Sequence, residues 1–440
     1  MTPKNTTQVA PGVRVAFVTL GCPKNEVDSD RMAASLGEGF ELVADLDDAD
    51  AVVVNTCAFI REATEESIGV VLEVAGEWKS ASPDRVLVVT GCMPSRYGDE
   101  LSGSMPEVDA FVPVTEESAL VEVLTRLTGA TGSVTPVGAP ARLLPGPSAY
   151  LQVADGCHRT CTYCIIPAIR GPYVSRTADD IVAEATDLVA MGARELVLIG
   201  QDISSWGRDL PDRPTLADLV RRLSGVDGLA WLRLMYVQPD EITPDLLDAM
   251  ASSPAVCRYL DMPLQHASKD VLRAMGRRGD ASEFLRLIGV VRDLLPGVVL
   301  RTTLIAGFPG ETREDAKRLL EFVQEAELDY VGVFPYSPEE GTAAAVMPDQ
   351  IPKRTRIARA QRLRDAADEI GVRRVADRIG SVLEVLVEGL DEEGAPYGRH
   401  RGQAPEVDGI VLLDREVPSG EIVSVRVVDT LGYDLVGEVL

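Results

Sequence analysis

Residues 150–171 read YLQVADGCHRTCTYCIIPAIRG, a short apolar run that breaks into a loop carrying three cysteines. Tyr150 to Val153 has strand length and runs directly into the loop. Cys157, Cys161 and Cys164 then follow in a CX3CX2C pattern. Iron–sulfur clusters are held by thiolates, normally four for a 4Fe-4S cube, so a compact set of three leaves one iron open to a substrate or cofactor. Structural zinc is the competing reading. It needs a fourth ligand, for which His158 is the candidate, although the X3 spacing departs from the usual pairs of zinc-binding cysteines.

Five further runs of strand length follow near 195–199, 231–235, 258–261, 299–305 and 330–334, separated by amphipathic helical stretches. Six such units predict a partial (β/α)6 TIM-like barrel over residues 143–373, with its chemistry at the C-terminal ends of the strands. The cysteine loop lies at the end of the first strand. Gln201 and Asp202 follow the second strand, and Gln265 and His266 the fourth, so all four line the predicted barrel mouth. A lone histidine is more often hydrogen-bonded structure than a catalyst. Arg170 reads equally as a carboxylate binder or as one half of an ordinary ion pair. GFPGET (307–312) resembles a phosphate loop only weakly, because no Lys-Ser/Thr follows; Thr312 and Asp315 instead form a helix-starting capping box. Cys257 has no partner thiol at ligand spacing and reads as a core cysteine.

Upstream, from Arg14 to about Arg126, the runs VRVAFVTL, DAVVVNTC and DRVLVVTGC alternate with helix-like stretches at 28–36 and 63–75. This rhythm predicts an open parallel α/β domain over 12–128. Each run ends at a cysteine, and Cys22, Cys57 and Cys92 are spaced 35 positions apart. The carboxyl ends of parallel strands converge on one edge of such a sheet, which brings thiols distant in sequence toward one another. Taken singly, each reads as a buried, inert cysteine. The stretch TGATGSVTPVGAPARLLPGPS (128–148) has no periodicity and reads as the linker between the two domains.

Residues 351–378 hold nine Lys/Arg and four Asp/Glu, a net of +5, and predict a solvated connecting helix. Over 375–440, short alternating runs between Gly, Pro and Asp turns predict a small antiparallel β-barrel of about five strands. From Ile379 onward it has four Arg against thirteen Asp/Glu, a net of −9. The whole chain of 440 residues carries −26, which repels phosphate backbones and attracts basic partners. Its apolar runs stop well short of the ~20 residues that span a bilayer, which argues against a membrane protein. The N-terminal MTPKNTTQVAPGV lacks the apolar core of a secretory signal, so a cytoplasmic location and reduced thiols are expected. Seven cysteines, an odd and scattered set, then point to metal or catalysis rather than disulfides.

The cysteine loop after a first barrel strand, with Tyr163 as the aromatic residue before the last cysteine, resembles the signature of the radical S-adenosylmethionine (SAM) superfamily. The resemblance implies that the open iron chelates SAM, that reduction releases a 5'-deoxyadenosyl radical, and that Tyr163 packs near the adenine. Their place at the barrel mouth makes Gln201, Asp202, Gln265 and His266 candidates for contact with SAM or the target, Gln201 and Gln265 being the expected cofactor-binding pair. Across nearly the whole chain, the order of a cysteine-bearing α/β domain, a radical SAM barrel and a TRAM-type β-barrel is similar to that of the methylthiotransferases. In that family three N-terminal cysteines hold a second 4Fe-4S cluster, and Cys22, Cys57 and Cys92 match them in GCPKNEVDSD, NTCAFI and TGCMPSR.

Within the family, LGCPKNEVDSDRM, CIIPAIRG, MPLQHAS and VFPYSPEEGTAAA read like the branch that methylthiolates the β-carbon of an aspartate in ribosomal protein S-twelve. This branch implies two 4Fe-4S clusters and SAM as cofactors. It also implies the small ribosomal subunit or its free protein as partner, an electron donor such as flavodoxin or ferredoxin, and a sulfur donor. The rival branch modifies an adenosine in tRNA. A TRAM barrel that grips tRNA should be basic, whereas this one carries −9. A third reading, a non-catalytic iron–sulfur factor that binds the ribosome, is separated from both by its failure to form 5'-deoxyadenosine.

Overall fold

The computed structural model describes residues 12–37, 39–130, 142–143 and 146–440. Residues 131–141 and 144–145 of the predicted linker lie outside the described residues, as does nearly all of the N-terminal stretch. The chain divides into two compact units. The first runs to Leu143 and includes Ala168–Gly171; the second comprises Leu144–Pro167 and Pro172–Leu440.

In the first unit, β1 (Val13–Thr19), β2 (Phe40–Leu42), β3 (Ala51–Thr56), β4 (Val86–Gly91) and β5 (Ala110–Pro113) form one sheet in the order β2-β1-β3-β4-β5. Every neighbouring pair is parallel. Strands β3 and β4 are buried at every position. Burial on both faces explains why AVVVNT and VLVVTG are nearly continuous apolar runs instead of alternating ones. The predicted open α/β sheet is therefore present.

In the second unit, β6 (Ser148–Gln152) leads through a two-stranded ribbon, β7 (Ala154–Asp155) with β8 (Val174–Ser175), whose strands flank the cysteine loop. Then come β9 (Glu195–Ile199), β10 (Trp231–Leu234), β11 (Val256–Asp261), β12 (Val299–Ala306) and β13 (Tyr330–Pro335). They form an open six-stranded sheet in the order β13-β12-β11-β10-β9-β6, parallel throughout. This is the partial barrel expected from the sequence, and Leu151, Leu198, Leu232, Leu260 and Leu300 lie in its core. The Thr312 and Asp315 capping box is formed, with each side chain bonded to the other residue's backbone N–H, and it opens the helix Arg313–Ala326.

The basic segment departs from expectation. It is one helix, Lys353–Ala376, but Ala360, Leu363, Ala367, Ile370 and Val375 are buried along one side of it. Arg364 donates to the Val333 carbonyl on β13, and Arg374 pairs with Asp329. The helix is thus packed onto the edge of the barrel instead of being a solvated connector. A net-charge count missed this because arginine stems cover apolar surface while their heads reach polar partners.

The last strands, β14 (Val382–Leu390), β15 (Pro396–His400), β16 (Val411–Leu413), β17 (Ile422–Leu431) and β18 (Asp434–Val439), close into a barrel in the order β14-β15-β16-β18-β17. Four of its pairings are antiparallel, and closure is made by the parallel pair β16–β18. No helix among the described residues is long and apolar enough to cross a membrane.

Composition separates the two barrels near residue 374, yet they cluster as one unit, and buried charge is part of what joins them. Glu195 of β9, fully buried, accepts from Arg233 of β10 at 2.7 Å and from Arg399 of β15 at 2.5 Å. Burial alone would raise the Glu195 carboxyl, but the two guanidinium groups outweigh it and hold it at about 2, below the usual 4.5. A lowered carboxylate pKa contributes stability that is complete above about pH 4.5 and is lost as pH falls toward 2. Glu195→Gln should therefore cost about 3 kcal/mol at pH 7, with a deficit that narrows at pH 3. Denaturant titrations of both proteins at the two pH values test this; a deficit that stays the same would show that the pair does not act through its charge.

Candidate functional site

Local chain geometry at the ends of β1, β3 and β4 gathers the first three cysteines. Gly21, at φ +101°, turns the chain after β1. Cys22 then takes an extended conformation as the N-cap of the helix Pro23–Ala34, with Pro23 at its first position. Cys57 follows β3 directly, and Cys92 opens the helix Cys92–Tyr97 straight from β4 through Gly91, at φ +95°. A Cβ at Gly91 would stand 2.2 Å from Asn55 Oδ1, and one at Gly21 would stand 2.6 Å from the Cys57 Cβ. Only glycine fits at these two corners, both for space and for conformation.

Asn25, fully buried, ties the three loops together. Its Nδ2 donates to the Leu20 and Thr56 carbonyls at 2.8 and 3.1 Å. Its Oδ1 lies 3.9 Å from both the Cys22 and the Cys92 sulfur. Arg170 reaches the same place: its Nη2 donates to Asn25 Oδ1 at 3.1 Å and to Asp28 Oδ2 at 2.6 Å, and lies 4.0 Å from the Cys92 sulfur. Of the two sequence readings of Arg170, the ion pair is therefore the one formed. Burial pushes the Cys57 thiol up. It pushes Cys92 to about 12, with Arg170 pulling the other way. Thiols in such surroundings stay protonated at neutral pH unless a metal supplies the charge that ionises them.

The second trio sits on the loop between β7 and the short helix Ile166–Arg170. Backbone bonds pin this loop, from Thr162 N–H to the Met275 carbonyl at 3.0 Å and from Ala344 N–H to the Thr162 carbonyl at 2.8 Å. Arg159 fastens it further through Asp202 Oδ2, at 2.6 Å. Arg277 donates to the Pro263 carbonyl at 2.6 Å and lies 3.8 Å from the Cys161 sulfur. Burial pushes Cys157 up and Cys164 to about 12. His158, the candidate fourth ligand of the zinc reading, is exposed and packs edge-on against Tyr173, with ring centroids 5.3 Å apart.

The mouth residues divide into two kinds. Gln201, two residues beyond β9, has both amide atoms buried and without a hydrogen-bond partner among the described residues. Gln265 is held at φ +69°, and its backbone bridges to β12 through Thr303 and Ile305. Tyr163 is half-buried and packs against the barrel core. Asp202 is committed to Arg159, Ser204 and Ser205, and so braces the cysteine loop. His266 is fully buried: its Nδ1 accepts from Ser268 N–H, and its Nε2 lies 3.5 Å from Glu311, which pairs with Arg359. It is part of the barrel's framework. Cys257 is fully buried, in keeping with a core role. Sequence reasoning passed over Asn25, Asp28, Arg277 and Glu311. Asn25 and Asp28 stand in the quoted stretch GCPKNEVDSD, where their proximity to Cys22 was the available signal.

As a donor set, each trio fits an iron–sulfur cluster: three thiols with a basic side chain close by, Arg170 beside Cys92 and Arg277 beside Cys161. Among the described residues, no three His, Cys, Asp or Glu converge on a single-ion position. A cube binds each thiolate through a different iron and does not require that convergence.

Comparison with known proteins gives consistent matches over all three regions. Residues 14–113 match the family described as "Uncharacterized protein family UPF0004", 151–323 the radical SAM superfamily, and 379–440 the TRAM domain. The chain is 43% identical to the "Ribosomal protein uS12 methylthiotransferase RimO" of Geobacter sulfurreducens, over 97% of this chain and 98% of that protein. It is equally similar, at 43%, to the protein of that name from Pelotomaculum thermopropionicum, over 97% and 99%. Among solved structures, the radical SAM methyltransferase TsrM from Kitasatospora setae aligns with a TM-score of 0.56 at 18% identity, over 74% of this chain and 77% of that one. The cobalamin-dependent radical SAM enzyme OxsB aligns at 0.54 and 12%, over 82% and 58%. These two likenesses concern the fold.

Proposed function

This chain belongs to the RimO family of ribosomal protein uS12 methylthiotransferases, and from that membership we propose how its residues divide the reaction. It is a radical SAM methylthiotransferase that uses SAM and two 4Fe-4S clusters to methylthiolate uS12, at the β-carbon of an aspartate. Cys157, Cys161 and Cys164 hold the cluster that meets SAM, and Cys22, Cys57 and Cys92 hold the cluster from which sulfur is delivered. The observation that carries this division is the presence of two separate, all-sulfur trios, each fixed by its own buried polar residues. When bound, these groups supply a one-electron reduction of SAM to a carbon radical and a methylated sulfur for that radical chemistry to consume.

The protein's own residues position and shield. The Arg159–Asp202 pair holds the barrel cysteines on a rigid loop. Gln201 offers one donor and one acceptor, both desolvated, which suits the amino and carboxylate groups of SAM. Gln265, in its strained left-handed turn, and Tyr163 complete the cofactor wall. The surrounding barrel excludes water and competing hydrogen donors from a reactive centre.

The partner reading follows from charge. A TRAM barrel of −9 on a chain of −26 suits a basic ribosomal protein, free or on the small subunit, better than tRNA. A flavodoxin or ferredoxin as reductant, a separate sulfur donor and a cytoplasmic location complete the proposal. Mass spectrometry of ribosomal proteins and tRNA from cells lacking this chain tests it. Replacing H by SCH3 adds about 46 Da, a gain expected to vanish from uS12 and to persist in tRNA. Loss from tRNA instead would move the chain to the other branch.

A further inference from the structure

We propose that Arg170, opposed by Asp28, sets the charge felt by a cluster on Cys22, Cys57 and Cys92, and thereby how readily that cluster takes an electron. The inference rests on the reading of those cysteines as cluster ligands. Arg170 lies six residues beyond Cys164 in sequence, but the segment Ala168–Gly171 folds as part of the N-terminal unit. Its guanidinium is 1% exposed and the Asp28 carboxylate 3%, so neither charge is screened by solvent. Arg170 Nη2 serves Asp28 at 2.6 Å and Asn25 at 3.1 Å while standing 4.0 Å from the Cys92 sulfur.

Reduction of a 4Fe-4S cluster from its 2+ to its 1+ core adds one electron and no proton, so one negative charge appears beside these fixed charges. A nearby cation favours that state and a nearby anion opposes it. Arginine suits the role because it stays protonated whatever the cluster's state, so its charge does not relax away. The two members of the pair therefore act in opposite directions on the potential. A purely structural ion pair would make loss of either member equivalent.

The test is a redox titration followed by electron paramagnetic resonance. It uses the full-length protein with Cys157, Cys161 and Cys164 replaced by Ala, so that one cluster signal is read. Arg170→Gln is expected to move the midpoint to more negative potential and Asp28→Asn to more positive potential. Arg170→Lys should stay close to the parent. If Arg170→Gln loses iron because the buried Asp28 has lost its guanidinium partner, the double variant Arg170→Gln/Asp28→Asn and Asp28→Asn carry the test. The double variant should return toward the parent midpoint. Shifts in the same direction, or none while about four irons are retained, overturn the proposal. A parent that binds no iron instead overturns the ligand reading on which it rests, and iron analysis beforehand distinguishes the two.

Discussion

Anaerobically reconstituted protein is expected to carry about eight irons per chain, falling to about four when Cys157, Cys161 and Cys164 are replaced together by Ala. In that variant, reductive formation of 5'-deoxyadenosine should drop to background and methylthiolation should cease. The effect is large because the three irons that these thiols would hold have no other thiol to replace them, so the whole cluster is lost. Cys257, the remaining cysteine of the barrel, is sealed in the core. The loop itself should survive the substitution. Its position depends on backbone bonds to Met275 and Ala344 and on the Arg159–Asp202 pair, none of which involves a thiol. Circular dichroism provides the check on folding. Retention of all eight irons, or tight binding of zinc in their place, would overturn the assignment of this trio.

Replacing Cys22, Cys57 and Cys92 by Ala should have a different signature: 5'-deoxyadenosine formation largely intact, sulfur insertion abolished. The two outcomes separate because the trios stand on separate loops, each with its own supports. Alanine is the suitable probe at the sheet edge, since Cys57 and Cys92 are buried and a larger residue at Cys57 would press on the corner at Gly21. A cluster that braces the domain also contributes stability, so the triple variant is expected to unfold more easily. Cys22→Ala alone, at the most open of the three positions, gives a milder companion variant. A well-folded triple variant that still attaches methylthio groups at the wild-type rate would show that these cysteines do not deliver the sulfur.

Much of this architecture was legible from local pattern. The β-branched runs ending at Cys22, Cys57 and Cys92 announced parallel strands whose carboxyl ends share an edge, and that edge is where the thiols lie. The strands near 195–199, 231–235 and 299–305 appear within a residue or so of the predicted limits. The capping box at Thr312 and Asp315 was readable because both partners lie within one turn of chain. The helix over 353–376 was misjudged because its burial depends on which side meets β13, and composition does not carry that information.

The sequence by itself determined the elements, the two cysteine trios and the family. Spacing, alternation and turn chemistry are short-range properties written along the chain, and a CX3CX2C loop needs no distant partner to be recognised. Only the tertiary structure decided that Arg170 belongs with Asn25, Asp28 and Cys92, 78 to 145 positions away. In the same way, only folding turned Asp202 into a support of the cysteine loop while leaving the Gln201 amide without a hydrogen-bond partner among the described residues. Glu195, Arg233 and Arg399 likewise became one buried charge network that joins the barrels. The physical reason is common to all of these. The role of a polar side chain is set by the partner that satisfies it once water is excluded, and that partner is chosen by long-range packing, which no local pattern encodes.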